Sequence, residues 1–171
     1  AAYAHWGMDA FARFDGMFAA AIFDTRERRL VLVRDPMGQK PLYYHHTADA
    51  IVCASELRGL LALDAFRWMI NNKAVARFLA NACFMGEETP LKGVSKVPPG
   101  HYIIVEPDKG TFEIKRYWYS YPGADVLDIS EEEAVQEFDR LFEIASARTL
   151  RADVPIGVFL SGGLDSSLTA A

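Results

Sequence analysis

Alternating apolar and polar positions predict four short strands in the first third of the chain. Polar turns that carry charged residues, proline or glycine separate these runs. The four runs are residues 17–24, 30–35, 41–46 and 51–55. Strands that follow one another across short turns are typical of an antiparallel meander, and we predict that arrangement for this part.

Helical spacing of apolar positions marks three further segments. The predicted helices are residues 1–13, 56–63 and 72–83. Asn71 or Asn72 is the expected N-cap of the last, because an amide oxygen can accept a free N–H of the first turn. After a stretch rich in proline and glycine, residues 101–106 and 111–118 are predicted to pair as a hairpin.

The remaining third has a different pattern. Residues 120–128 lack periodicity, include Pro122 and Gly123, and are predicted to be a linker. Ser130 and Glu133 have the spacing of a capping box, which predicts a helix up to about residue 150. Residues 154–160 then read as a strand, followed by a glycine turn and a second helix. This order is typical of the start of an α/β nucleotide-binding domain.

Composition and charge narrow the range of functions. The 171 residues are 51% hydrophobic and 24% charged, with a net charge of −5. This balance gives no basic surface for nucleic acid or an anionic membrane, and no apolar run is long enough to span a bilayer. Cys53 and Cys83 are widely spaced and are predicted to be buried small hydrophobic residues in a reducing, cytoplasmic setting.

The clearest chemical signal is the glycine loop that follows residues 154–160. Glycines allow main-chain N–H groups to approach an anion, and the first turn of the next helix adds partial positive charge. Serine hydroxyls can donate further bonds to a phosphate, whereas Asp165 either holds Mg²⁺ or orients the loop. The loop lacks the Gly-Lys-Ser/Thr ending of a Walker A motif, and it matches the pyrophosphate loop of enzymes that cleave ATP between the α and β phosphates.

Five sequence blocks follow one another along the chain. They are residues 14–19 (FDGMFA), 33–44 (VRDPMGQKPLYY), 54–61 (ASELRGLL), 97–102 (VPPGHY) and 161–167 (SGGLDSS). These blocks resemble segments of the asparagine synthetases of the class II glutamine amidotransferase family. They occur in the family's order and end at the glycine loop, so the resemblance covers essentially the whole chain.

The resemblance implies an α+β chain with two parts. Residues 1–119 would be the later part of an Ntn-hydrolase αββα sandwich, the glutamine amidotransferase domain. Residues 129–171 would open an α/β adenine-nucleotide hydrolase-like (PP-loop) domain, the ATP-binding domain. The implied ATP and pyrophosphate contacts are Leu160, Ser161, Gly162, Gly163, Asp165, Ser166 and Ser167, with Asp165 as the candidate Mg²⁺ ligand.

The family's reaction is the ATP-driven adenylation of the aspartate β-carboxylate, followed by amidation with ammonia from glutamine. Its nucleophile is an N-terminal cysteine, whereas position 1 here is Ala1, so no glutaminase residue carries over. We therefore expect the chain to be an internal fragment that is inactive by itself. Glutamine, aspartate and ATP are the implied substrates, and a homodimer is left open.

Two other functions remain open. A relative with the same layout could adenylate another carboxylate, as β-lactam synthetases and peptide-modifying amidotransferases do. A truncated remnant could instead serve as a binding module without activity. Outside the loop, Arg34 and Asp35 are predicted to stabilise a turn, and His45 and His46 to face opposite sides of a strand. The aromatic group Tyr117, Trp118, Tyr119 and Tyr121 is predicted to pack between the two domains.

Overall fold

Two separate antiparallel sheets make up most of the first part of the computed structural model. The model describes residues 1–119 and 127–170, and the chain divides into two units, Ala1–Pro122 and Gly123–Ala171. The predicted linker, residues 120–128, lies almost entirely outside the described residues. Helices together with antiparallel strands confirm the α+β class.

The first sheet has four strands in the order β1-β2-β6-β7, each antiparallel to its neighbour. The strands are β1 (Ala19–Asp24), β2 (Arg29–Arg34), β6 (His101–Glu106) and β7 (Thr111–Arg116). β2 and β6 each carry three successive buried residues, as strands covered on both faces do. This pattern makes them the central pair, and the predicted hairpin of β6 and β7 is confirmed.

The second sheet has three strands in the order β4-β3-β5. The strands are β3 (Tyr43–His46), β4 (Ile51–Ala54) and β5 (Val94–Lys96). The predicted four-strand meander is therefore wrong, because β2 pairs with β6 and not with β3. The chain leaves the first sheet through a turn after β2, and the central position next to β2 is taken by the more apolar β6.

Side chains from both sheets share one apolar cluster. Leu32 and Ile103 of the first sheet pack with Tyr44 of the second, all at least nine-tenths buried. A second cluster around Phe11 covers the other face of the first sheet. A third, around Leu60, covers the other face of the second sheet. The order from one side to the other is helical segment, sheet, sheet, helix.

The helices of the first unit are shorter than their periodicity predicts. α1 (Ala2–Trp6) ends where Gly7 takes a φ of 57°, and residues Gly7–Arg13 continue as a 3₁₀ helix. α2 covers Leu57–Leu61, and α3 covers Asn72–Asn81. Asn71 is the N-cap of α3, with its side chain accepting the Ala74 N–H at 3.3 Å.

The cysteine prediction holds only in part. Cys53 is half-buried in β4, whereas Cys83 is exposed, so its predicted burial is wrong. The reason is local, because α3 ends at Asn81 and Ala82 adopts the left-handed conformation. Cys83 thus lies beyond the end of the helix that was predicted to include it.

The second unit contains two helices in its described residues. α4 covers Glu131–Thr149 and α5 covers Leu164–Ala170. The capping box of α4 is confirmed, since Glu133 N–H donates to Ser130 Oγ at 3.3 Å and Ser130 N–H donates to Glu133 Oε2 at 2.8 Å. No helix in the described ranges combines the length and the apolarity needed to cross a membrane.

Tyr117 packs inside the first unit, and its predicted packing between the domains stays a prediction. Its ring lies 6.0 Å from that of Phe11, and its hydroxyl donates to the Arg34 carbonyl at 2.7 Å. Tyr121 of the same aromatic group lies outside the described residues. Burial raises the pKa of the Tyr117 phenol far above its ordinary value.

This shift predicts a loss of stability in alkali. Above about pH 10 the phenol ionises in the unfolded chain but stays protonated in the fold, so the stabilisation is complete below that pH and is lost as the pH rises toward the folded-state pKa. Tyr117→Phe should flatten the fall in unfolding free energy between about pH 9 and 11. Urea denaturation at several pH values measures this slope. Tyr119→Phe, at a ring 68% exposed, is the control, and parallel profiles for Tyr117→Phe and the parent protein would contradict the assignment.

Candidate functional site

The glycine loop and the first turn of α5 hold all the residues predicted to bind phosphate. The chain brings them together because they follow one another directly. They are Leu160, Ser161, Gly162, Gly163, Asp165, Ser166 and Ser167. The side-chain hydrogen bonds described at the candidate site also lie within this segment.

Hydrogen bonds among its own polar groups order the loop. The Gly163 N–H donates to Ser161 Oγ at 3.4 Å, and the Ser161 and Ser166 hydroxyl oxygens are 3.0 Å apart. The hydroxyls of Ser166 and Ser167 both donate to the Gly163 carbonyl, at 3.0 and 2.8 Å. Ser161 consequently donates to Ser166, and three serine oxygens lie against the main-chain N–H and carbonyl of Gly163.

Gly162 supplies the conformation that the turn needs. Its φ is +79°, in the left-handed region that side-chain-bearing residues rarely adopt. A Cβ placed there would meet no atom within 4 Å, so the constraint is backbone strain and not crowding. The open space beside Gly162 leaves room for an anion to approach the main chain.

The chemistry of this donor set fits a phosphate group. Serine hydroxyls and the free N–H groups of a first helical turn are neutral donors that suit phosphate oxygens. Asp165 lies in the first turn of α5, where its carboxylate could serve as one ligand of a cation. Mg²⁺ is usually held by one or two carboxylates together with phosphate oxygens and water, so a single aspartate suffices. Among the residues described, no group of three or more acidic, histidine or cysteine side chains could hold a metal unaided.

The segment before the loop differs from its prediction. Residues 154–160 were expected to form a buried strand, but they form no strand, and Phe159 and Leu160 are 99% and 65% exposed. A strand exists through the hydrogen bonds it shares with a neighbour, and the described part of the second unit offers none. Residues 154–160 are therefore apolar, but in the described part of the unit they are not paired with a neighbouring strand that would help to bury them.

Arg34 and Asp35 stabilise the turn after β2, as predicted. Asp35 is 1% exposed, and its carboxylate accepts the N–H groups of Met37, Gln39 and Lys40 at 3.1, 2.9 and 2.9 Å. The Arg34 guanidinium donates to three carbonyls, those of Gly38, Lys40 and Val97. Burial lowers the pKa of Arg34, and the negative charge of Asp35 opposes that effect.

His45 and His46 face different partners, as the strand period predicts. The His45 ring packs edge-on against Phe66 and Trp68 with centroids 5.2 Å apart, and its Nδ1 lies 2.8 Å from the Gly93 carbonyl oxygen. The His46 ring stacks on Phe112 at 4.3 Å. Each histidine has a packing role of its own.

A cavity that no sequence pattern predicts lies beside the second sheet. Its volume is about 130 Å³, and its lining includes Tyr43, Leu57, Phe84, Glu88, Pro90 and Lys96. Four separate stretches of chain meet there, so no local pattern marks it. Burial, followed by the positive charge of Arg34, lowers the pKa of the Lys96 ammonium.

Comparison with known proteins gives two consecutive family matches. The glutamine amidotransferase domain family matches residues 1–118, and the asparagine synthase family matches residues 137–171. The second match includes the whole glycine loop.

Curated relatives match nearly the entire chain. Amidase chyE of Penicillium rubens is 37% identical over 99% of the chain and 25% of its own length. A protein of Mycobacterium bovis, provisionally named a glutamine-hydrolyzing asparagine synthetase, is 33% identical over 100% of the chain and 27% of its own length. Asparagine synthetase (glutamine-hydrolyzing) 1 of Bacillus subtilis is 33% identical over 98% of the chain and 26% of its own length. The chain thus spans about a quarter of the length of the relatives it matches.

Proposed function

Since the chain belongs to the glutamine amidotransferase family that includes the glutamine-hydrolysing asparagine synthetases, we propose that its protein makes asparagine from aspartate. In this proposal ATP activates the β-carboxylate of aspartate, AMP and pyrophosphate are released, and glutamine supplies the ammonia. The enzyme would be a carbon–nitrogen ligase with glutamine as amide donor. The chain carries no residue that we assign to glutamine hydrolysis.

The order of the two family matches is the observation that carries this proposal. A glutamine amidotransferase match over residues 1–118 is followed directly by an asparagine synthase match over residues 137–171. A domain that releases ammonia joined to one that activates a carboxylate is the arrangement that amide synthesis requires. The serine–glycine loop lies in the second match, where nucleotide chemistry is expected.

The proposed role of the loop follows from the charge that develops during activation. A carboxylate is a poor electrophile, and transfer of AMP to it creates a good leaving group while negative charge accumulates on pyrophosphate. Neutral donors gathered in one loop can stabilise such charge. In the structure these donors bond to groups of the loop itself, so phosphate binding would exchange those bonds for bonds to phosphate oxygens. The main chain at Gly162 and Gly163 and the hydroxyls of Ser161, Ser166 and Ser167 would contact the phosphates. Mg²⁺ would neutralise part of their charge, with Asp165 as its protein ligand.

The fold of each unit supports the same proposal. Two sheets with helical segments outside them suit an Ntn-hydrolase αββα sandwich for residues 1–119. The capped helix α4, the loop and α5 suit the opening of a PP-loop domain over residues 129–171. These boundaries, a cytoplasmic location and a homodimer belong to the proposal.

A second candidate function differs only in the acceptor. The amidase chyE of Penicillium rubens is somewhat more similar to the chain than the named synthetases are, at 37% against 33% identity. That name does not specify aspartate as the acceptor. The same loop chemistry would then activate another carboxylate, with amide formation unchanged.

Product analysis on the full-length protein separates the two candidates. The protein is incubated with Mg²⁺-ATP and glutamine, and AMP and pyrophosphate are measured with L-aspartate and with a panel of other carboxylic acids. Pyrophosphate release that depends on aspartate, with asparagine formed in equal amount, supports the first function. Release with another acid only supports the second. Absence of release with every acid, in a protein that binds ATP, contradicts both.

A further inference from the structure

The cavity beside the second sheet contains an acidic group with one unused oxygen. Glu88 accepts a hydrogen bond from Arg77 through Oε1, while its Oε2 is buried and has no partner. A buried carboxylate oxygen without a donor is costly, because it has lost water and gained nothing in return. This atom therefore needs a donor that the described residues do not provide.

A basic group with unused donors lines the same cavity. The Lys96 ammonium donates to the Phe84 carbonyl at 2.9 Å, which uses one of its three hydrogens. Glu88 acts on Lys96 electrostatically, yet no ion pair joins the two side chains in the part of the chain described. The Glu88 carboxylate and the Lys96 ammonium thus both line the cavity without forming an ion pair with each other.

We propose that this cavity is a binding site for a small zwitterionic amino acid. Its ammonium group would donate to Glu88 Oε2, and its carboxylate would accept from Lys96. One molecule with both groups satisfies both residues, which neither a simple anion nor a simple cation does. Leu57, Phe84 and Pro90 provide an apolar lining for a short side chain.

The size of the cavity limits the ligand. A cavity of roughly 150 Å³ holds one benzene molecule. The volume here is about 130 Å³, and L-alanine has as many non-hydrogen atoms as benzene. Alanine or serine should therefore fit inside the cavity, whereas an aromatic side chain would have to extend through its open side into solvent. Arg34 adds positive charge near Lys96, which favours the carboxylate end.

Calorimetric titration of the full-length protein with L-alanine, without ATP, tests this site. L-alanine is chosen because the proposed asparagine chemistry does not use it, so the two proposals fail separately. We expect saturable binding that weakens at least about tenfold in Glu88→Gln and in Lys96→Met, since each loses one charge-assisted hydrogen bond. Glu87→Gln and Lys92→Met, at exposed neighbours, should bind like the parent protein.

Three results would overturn the proposal. They are a lack of saturable binding, equal binding of acetate or ethylammonium alone, and an affinity that both cavity variants leave unchanged. If Lys96→Met loses the far-UV circular dichroism of the parent, Glu88→Gln decides alone, because its side chain keeps the same shape. L-phenylalanine serves as the size control and should bind more weakly than L-alanine, because its ring cannot be enclosed in the cavity.

Discussion

Asp165→Ala is expected to lower pyrophosphate release by the full-length protein at least about a hundredfold, while glutamine hydrolysis continues. The proposed pyrophosphate loop has one carboxylate in the first turn of α5, and its removal would take away the only protein ligand we propose for Mg²⁺. In the proposed enzyme, glutamine hydrolysis would take place in the other domain and would not need the phosphates of ATP. Pyrophosphate and glutamate are measured in the same reaction mixtures.

Asp153→Ala is the matched control for this experiment. Asp153 is exposed in the same unit but lies outside the loop, so its replacement should leave both activities unchanged. An equal loss of both activities in a folded Asp165→Ala protein would count against the assigned role. Asp165→Asn keeps the shape of the side chain and distinguishes its charge from its packing.

Replacement of Asp35 by alanine should destabilise the first unit by about 3 kcal/mol or more. The carboxylate is 1% exposed and accepts three backbone N–H groups, which would lose their partner in a place that water reaches poorly. Urea denaturation followed by circular dichroism measures the loss. The expected result is a lower midpoint with an unchanged slope, because the surface exposed on unfolding stays the same.

Two further variants sharpen this test. Asp49→Ala removes an exposed aspartate from another turn and should change stability by less than about 0.5 kcal/mol. The stability of Asp35→Asn should lie between those of Asp35→Ala and Asp49→Ala. Its amide oxygen can still accept hydrogen bonds, but its NH₂ group faces a donor. If Asp35→Ala were as stable as Asp49→Ala, the turn would be held by Arg34 alone.

Local features of this chain were predictable from the sequence, and long-range partners were not. The capping box at Ser130 and Glu133 and the hairpin of β6 and β7 depend on residues close together, and both are confirmed. The pairing of β2 with β6 depends on competition between distant strands for a central position. The three-residue β5 was missed because its pattern is too short to recognise.

The candidate sites follow the same distinction. The loop around Gly162 is one continuous motif, so its residues could be identified, whereas its affinity for ATP stays a prediction. The cavity at Glu88 and Lys96 is assembled from separate segments and carries no local signature. The strand predicted over residues 154–160 is an error of a different kind. An apolar run indicates burial, but a strand also needs a neighbouring strand with which to pair.

The order of the strands along the chain determines which of them can pair first while the protein is being synthesised. All three strands of the second sheet lie, in chain order, between β2 and its partner β6. The hairpin of β1 and β2 therefore emerges early with its apolar residues uncovered. It cannot pair with β6 until residues 102–105 have been synthesised. Pairings between distant residues form slowly, so the nascent chain exposes an unpaired strand edge, which can associate with other chains, until β6 has been made. Chaperone binding to the β2 segment at this stage would be a direct consequence of the strand order.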